Sequence, residues 1–593
     1  MSAKPNPVAE VAGRYNSDSI AELLRELGIR YVALSPGSSF RGLHESLVNT
    51  LGNRDPEMVL CLHEEHAVAI AHGYAKVAPE PMVVLVHSNV GLMHAAMAVY
   101  NAFCDRIPML VIGGVAPMDA GRRISPAHWY HSVLDQGALV RDYVKWDDQP
   151  LSLKAALMSL LRGNQITRTA PSAPVYLSLD QRMQEDPEET IDCWPDVARY
   201  RVPGPVQPHA GSVAQAARLL VSAERPVILA GRVSRDPDAW RERVRLAELL
   251  GADVLTDQKA GAAFPTDHPL HGADPSLVFA PKEGLDLIRQ ADVVLSLDWI
   301  DMVNLFARVW PDGQVPPKVI HCSLDRVVHK GWSRDHQAMP AVDVDILAEP
   351  DVTVPALARQ IESLADESFH DSARRRLERR RGSPRPHSPV RSPRSGAEDI
   401  ALWDIGDALS ALRDGRELSP VRVPLGWHAG AYDFRHPLDY LGYDGAGGIG
   451  SGPGQAVGAA LALKGSGRIP VALLGDGDYL MSVTALWTAV NQRVPLLVII
   501  ANNQSYYVDE EHQRTVSRQR GRPLDNAWVG QRIEDPEVDL GAMARARGFD
   551  VPGPVTRRSE LMPAMRRALE HVEAGGCSLL DVHILPDYEG LLG

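Results

Sequence analysis

Cysteine is scarce in this chain. Five residues in 593 (Cys61, Cys104, Cys193, Cys322 and Cys577), scattered and odd in number, leave no disulfide framework and no zinc-ligand spacing. No apolar run reaches the length of a membrane span. The opening stretch MSAKPNPVAEVAGRYNSDS lacks the apolar core of a signal peptide, so a cytoplasmic protein without a membrane partner is expected. Positive charge is in deficit: 61 Lys and Arg against 75 Asp and Glu give a net charge of −14, the reverse of the basic footprint of a nucleic-acid binder. No repeat of solenoid period is visible. What is present is an ordinary globular composition, 45% hydrophobic and 23% charged, in a chain long enough for three domains.

Apolar strand-like runs alternate with helical patterns, the signature of parallel α/β architecture. Three doubly wound parallel-sheet domains are expected. The first spans 1–185, with strands in YVALSPG, MVLCLH, MVVLVHS, PMLVIGG and PVYLSL. An acidic, proline-bearing connection (181–205) leads to a central domain over 206–360, with strands in PVILAG, DVLTD, VVLSLD and KVIHCSLD. Residues 367–397 include ARRRLERRRGSPRPHSPVRSPRS and read as an extended Arg/Pro/Ser linker. The last domain, 398–593, closes with the strand SLLDVHI.

Within that last domain, a 29-residue segment carries the strongest chemical signal: GDGDYLMSVTALWTAVNQRVPLLVIIANN, from Gly475 to Asn503. The buried strand IPVALL precedes it, and a second buried strand, PLLVIIA, ends in its two asparagines. Glycines at 475 and 477 let the backbone pass close to a phosphate, while a helix start offers free N–H groups to anionic oxygens. Asp476 supplies a hard carboxylate and Asn503 a hard amide oxygen, both suited to Mg²⁺ held jointly with phosphates. Upstream, Gly445-Ala446-Gly447-Gly448-Ile449-Gly450-Ser451-Gly452-Pro453-Gly454 is too rich in glycine for packed core and runs into the small-residue helix QAVGAALALK.

With this spacing the sequence resembles the thiamine-diphosphate (ThDP) enzymes that act on 2-oxo acids, the decarboxylases and acetolactate synthases, over nearly its whole length. The resemblance implies metal ligands at Asp476, the side chain of Asn503 and the carbonyl of Ser505, with Gly475, Gly477 and Asp478 beside the diphosphate. It implies a wedge beneath the cofactor at Ile449, an acceptor for the cofactor's amino group at the carbonyl of Gly447, and a diphosphate loop at Gly426-Trp427-His428, with His428 as the polar contact. The pattern H-E-x-x-A-x-x-x-A-x-G-Y-A from His63 to Ala75 places Glu64 as the carboxylate that activates the aminopyrimidine ring.

Two N-terminal segments resemble benzoylformate decarboxylase in particular. Ser35-Pro36-Gly37-Ser38 matches a loop whose serine faces the substrate carboxylate, and Val86-His87-Ser88 a strand end whose histidine moves protons. His131 lies where pyruvate decarboxylases carry the second of two histidines. Tyr506, Tyr507 and Asp509, just past the asparagines, are the specificity candidates. The family further implies active sites shared between two subunits, hence a homodimer or homotetramer. Flavin is bound by some relatives, but no G-x-G-x-x-G occurs in the central domain of this chain. The expected activity is ThDP- and Mg²⁺-dependent lyase or transferase chemistry: nonoxidative decarboxylation of a 2-oxo acid, with or without carboligation. Two alternatives stand beside it, a C–C lyase acting on a 2-hydroxyacyl-CoA or cyclic diketone, and a catalytically silent scaffold or regulator of the same fold.

Overall fold

The computed structural model describes residues 13–586 apart from 79, 125, 192, 276–280, 326–337 and 383–395. Fifteen strands among the described residues form three parallel sheets. The first contains β1 (Tyr31–Leu34), β2 (Glu57–Leu60), β3 (Val83–Val86), β4 (Met109–Val115), β5 (Trp146–Asp148) and β6 (Pro174–Asp180), in the order β2-β1-β3-β4-β6-β5. The second contains β7 (Pro226–Ala230), β8 (Asp253–Thr256), β9 (Val293–Leu297), β10 (Lys318–Cys322) and β11 (Val344–Ile346), in the order β11-β10-β9-β7-β8. The third runs β12 (Leu418–Arg422), β13 (Ile469–Gly475), β14 (Leu496–Asn502) and β15 (Cys577–His583) in sequence order. Central strands such as VVLV in β3 and LLVIIAN in β14 are buried throughout, as expected when helices cover both faces of a parallel sheet. Among the described residues no helix is long and apolar enough to cross a membrane.

The first and third sheets meet through two helices, Glu64–Ala75 and Gly452–Leu463, within one hydrophobic core. Glycine makes this crossing close. A Cβ at Gly73 would fall 2.0 Å from the carbonyl oxygen of Gln455, and one at Gly458 would fall 1.9 Å from that of Ile70. The central sheet joins the first through charge. Asp325, after β10, accepts from Arg106 at 2.9 Å and also pairs with Arg232, while Ser323 donates to Asp298 at 2.5 Å. This gives the SLD stretch at 323–325 a role at the carboxyl edge of the central sheet; Arg326 lies outside the described residues.

The linker expected over 367–397 is corrected in its first half. Residues Glu367–Arg381 form a helix on the central unit. Arg376 is buried and donates to the Leu250 carbonyl at 2.6 Å, and Arg380 pairs with Asp253 at 2.5 Å. The arginines read as solvated charge therefore tie the helix down. Residues 383–395 lie outside the described residues. The 181–205 connection likewise opens with a short helix, Gln181–Glu185.

Candidate active site

Strands β13 and β14 are paired neighbours with Gly475 opposite Ala501, so Asp476 and the two asparagines emerge side by side at one carboxyl edge, where parallel α/β sheets collect ligands. Asn502 is turned away from the edge, its amide donating to Asp581 on β15 at 2.9 Å. Asp476, Asn503 and Ser505 converge. The Asp476 carboxylate accepts the N–H of Gly477 at 2.7 Å and of Ser505 at 3.3 Å, and the Ser505 N–H also reaches the Asn503 amide oxygen at 3.1 Å. Burial pushes the Asp476 carboxyl up to about 6, against the pull of the backbone N–H groups around it. A buried carboxylate so raised, beside an amide oxygen, is a donor set that a hard divalent cation fits. The three residues border a cavity of about 260 Å³, with Gly447, Ile449 and Tyr506 on its other walls. A Cβ at Gly475 would enter open space, whereas one at Gly477 would lie 2.5 Å from the Tyr506 ring. Glycine at 477 lets that tyrosine close over the turn.

The glycine-rich loop is shaped by Gly447 (φ +68°) and Gly450 (φ +102°), which need left-handed backbone. Asp478 holds it. This residue, expected beside the diphosphate, lines the same cavity, and its carboxylate accepts the N–H of Gly450 at 2.6 Å and of Gly452 at 3.3 Å, and receives Arg422 at 3.0 Å. Arg422 is buried at the end of β12, also pairs with Asp444, and lies over the Tyr443 ring at 4.7 Å. Asp478 therefore fixes the loop that presents Ile449. Pro424 and Leu425 line the cavity, whereas Gly426, Trp427 and His428 of the expected diphosphate loop are not among its walls. Gly426 makes the turn at φ +86°, and His428 leans on Trp403 with ring centroids 5.9 Å apart.

The N-terminal unit builds a second cluster. Glu64 opens its helix, 9% exposed, with His63 as the cap. One carboxylate oxygen lies over Gly91, where a Cβ would come within 2.9 Å of it, and the other is 3.2 Å from Nδ1 of His94. His87 follows β3 and packs against Gly37, where a Cβ would fall 2.5 Å from the His87 Cβ and 2.6 Å from its ring. It meets His131 edge to face at a centroid distance of 4.4 Å, and His131 in turn meets Tyr130 at 4.5 Å. Burial first, and then the neighbouring His131, hold the His87 titration below the ordinary histidine value, with Glu64 pulling the other way. Ser38 is exposed, while Ser39 is buried and bonded to His87 at 3.0 Å. His128 is turned inward, accepting the Ile124 N–H at 2.8 Å.

Beyond Asn503, the Tyr507 hydroxyl accepts from Arg514 at 3.1 Å, and Asp509 is exposed at the cavity rim. Glu510 escaped the sequence reading. It is buried, accepts the Ser505 hydroxyl at 2.6 Å and receives both Arg514 and Arg532 at 3.1 Å. Its four-residue spacing to Arg514 was the sequence signal for a paired rather than solvated acid.

Three family models for thiamine pyrophosphate enzymes match in order: the N-terminal TPP binding domain at 16–139, the central domain at 213–350 and the C-terminal TPP binding domain at 424–582. The chain belongs to the thiamine pyrophosphate enzymes. Its relatives within that family include a probable chloroplastic acetolactate synthase 2 of Oryza sativa subsp. japonica, 26% identical over 619 residues that cover 98% of this chain and 85% of that protein. The benzoylformate decarboxylase of Pseudomonas aeruginosa is 26% identical over 563 residues, covering 92% of this chain and 95% of the relative. Among solved structures, a ThDP-dependent 4-hydroxybenzoylformate decarboxylase of Rhodococcus jostii RHA1 superposes with a TM-score of 0.77 at 22% identity, covering 97% of this chain and all of that one. The protein is thus a ThDP-dependent enzyme with acetolactate synthases and a benzoylformate decarboxylase among its relatives.

Proposed function

We propose that this enzyme is a nonoxidative, Mg²⁺-dependent 2-oxo acid decarboxylase that finishes its cycle by protonating the product carbon, releasing an aldehyde. The observation that carries the reading is the His87–His131 pair at the carboxyl edge of the first sheet, two half-buried imidazoles in edge contact within the same cluster as Glu64. Imidazoles titrate in the range that proton delivery needs, and burial and the neighbouring His131 lower the His87 titration, favouring its neutral form.

ThDP, when bound, supplies the electron sink that accepts the pair left behind as CO₂ departs. Asp476, Asn503 and the Ser505 carbonyl would hold Mg²⁺ and with it the diphosphate; Ile449 and Gly447 would shape and anchor the cofactor. Glu64 would hold the hydrogen bond to the aminopyrimidine nitrogen. His87 and His131 would hold and return the proton that ends on the product carbon, and Ser38, Tyr506, Tyr507 and Asp509 would border the space left for the substrate.

The cavity around Asp476 is lined by residues between 422 and 509, whereas Glu64 sits with Gly91 and His94 on the N-terminal unit. Met93, Met97 and Tyr100 lie along one face of the helix Ser88–Cys104 and are 50%, 38% and 40% exposed. Both features support a homodimer whose partner covers that face and completes the site. CO₂ release from a panel of benzoylformate, 4-hydroxybenzoylformate and pyruvate, with products separated by chromatography, tests the reading. Aldehyde as the dominant product supports it. Acetohydroxy acids as dominant product would make the protein a carboligase, and turnover of an acyl-CoA with silence toward all three acids would overturn the proposal.

A further inference from the structure

Ser39 adjoins the serine that the family resemblance singles out, yet it is Ser39 that touches His87. It is 2% exposed, and its carbonyl is held by the Gln184 amide at 3.2 Å. Among the described residues its hydroxyl has two partners. It accepts the N–H of Ser88 at 3.1 Å and lies 3.0 Å from Nδ1 of His87. Ser88 is a non-glycine residue in left-handed backbone at φ +46°, a conformation that costs energy unless its surroundings hold it. The Ser39 oxygen is part of that hold.

The hydroxyl has one proton to donate. The oxygen accepts from Ser88, and among the described residues Nδ1 of His87 is its one other partner, so donation to a bare Nδ1, with the ring proton on Nε2, is the arrangement that leaves no buried hydroxyl proton without an acceptor. The ring cannot slide away from this bond, because Gly37 lies flat against it on one side and His131 meets it edge-on. We infer that Ser39 is a positioning residue that fixes His87 in the Nε2–H tautomer, so that a neutral imidazole presents a proton to the reaction space. The same donated bond stabilises the neutral ring over the cation, in line with the lowered titration of His87; the groups that face the ring and bear on that titration are His131 and, more distantly, Glu64. The catalytic meaning of the tautomer rests on the decarboxylase reading, whereas the tautomer itself does not.

Solid-state ¹⁵N NMR of [¹⁵N]histidine-labelled, cofactor-free protein reads the tautomer directly, with His87 assigned by difference from His87→Asn. The expected result is an Nε2–H ring in the wild type. Ser39→Ala should shift the population toward Nδ1–H and raise the His87 titration, because loss of the donor removes what favoured the neutral ring. Ser38→Ala should leave the His87 signals in place. With benzoylformate as the probe, Ser39→Ala should lower kcat roughly tenfold with little change in KM, and ThDP binding by tryptophan fluorescence should be unchanged, which checks that the variant is folded. An Nδ1–H ring in the wild type, or an unaltered tautomer in Ser39→Ala, would overturn the inference. Absence of decarboxylation by the wild type would instead remove the reading on which its catalytic meaning rests, while the NMR result would still decide the tautomer.

Discussion

At the scale of single residues, the site divides into groups that present chemistry and groups that aim them. In the proposed reading Glu64, Asp476 and Asn503 present it, while Asp478, Glu510 and Ser39 aim it. The first set was proposed from the sequence: Asp476 and Asn503 by a GDG turn one βαβ unit before two asparagines, and Glu64 by the family resemblance of the segment His63 to Ala75. The aiming roles of the second set were not, because a residue's place along the chain does not say which way its side chain turns. Asp478 stands next to the turn yet bonds the loop of Gly450 and Gly452, and the choice between Ser38 and Ser39 turns on which of the two is buried. Glu64→Gln is expected to keep ThDP affinity within a few-fold while slowing exchange of the cofactor's C2 proton by about 10²–10⁴. Hydrogen–deuterium exchange followed by NMR measures this, and undiminished exchange would show that another group activates the aminopyrimidine.

At the scale of elements, long apolar strands announced themselves, and short or charged ones did not. β5 and β11 are three residues each, too short for periodicity to register. β12 ends in an arginine, which reads as surface until its burial against Asp444 and Asp478 is seen. The helix Glu367–Arg381 was missed for a related reason, since Arg376 spends its guanidinium on a backbone carbonyl instead of on water. The crossing of the helices Glu64–Ala75 and Gly452–Leu463 sets a steric limit. Gly73→Ala should destabilise the protein by about 1–3 kcal/mol through overpacking, readable as a lowered midpoint in urea.

Beside that crossing, Asp105 receives Lys76 and His72, each at 2.9 Å, and accepts the Gly445 N–H at 2.6 Å. Burial opposes ionisation of this carboxyl, but Lys76 and His72 prevail and hold it well below the usual carboxylate range. A depressed carboxylate contributes stability above its unfolded value, near 3.9, and loses it as the pH falls through the native value. The wild type should therefore exceed Asp105→Asn by about 3 kcal/mol near pH 7, with the gap closing below about pH 4. Thermal melts of both proteins across that range measure it, and a gap that widened in acid would contradict the pairing.

At the scale of the whole molecule, Glu64 belongs to the first sheet's unit, and the Asp476 cavity is lined by the third's, although Asn101 of the first donates to the Gly448 carbonyl beside it. Met97→Glu should break the proposed subunit contact over the exposed Met93, Met97 and Tyr100 face. Sedimentation velocity should then show a monomer in place of a dimer, with loss of cofactor activation that added ThDP does not restore. A dimer that survives this charge would place the subunit contact elsewhere.

The knot of Arg422, Asp444 and Asp478 has a consequence for how the protein comes into being. Its members leave the ribosome in sequence, and Asp478 emerges 56 residues after Arg422. Until then an arginine destined for full burial has one of its two carboxylates missing, and the glycine loop has nothing to grip its N–H groups. The glycine loop thus sets only once Asp478 has been made, and a chain halted before Asp478 carries Ile449 without the frame that aims it.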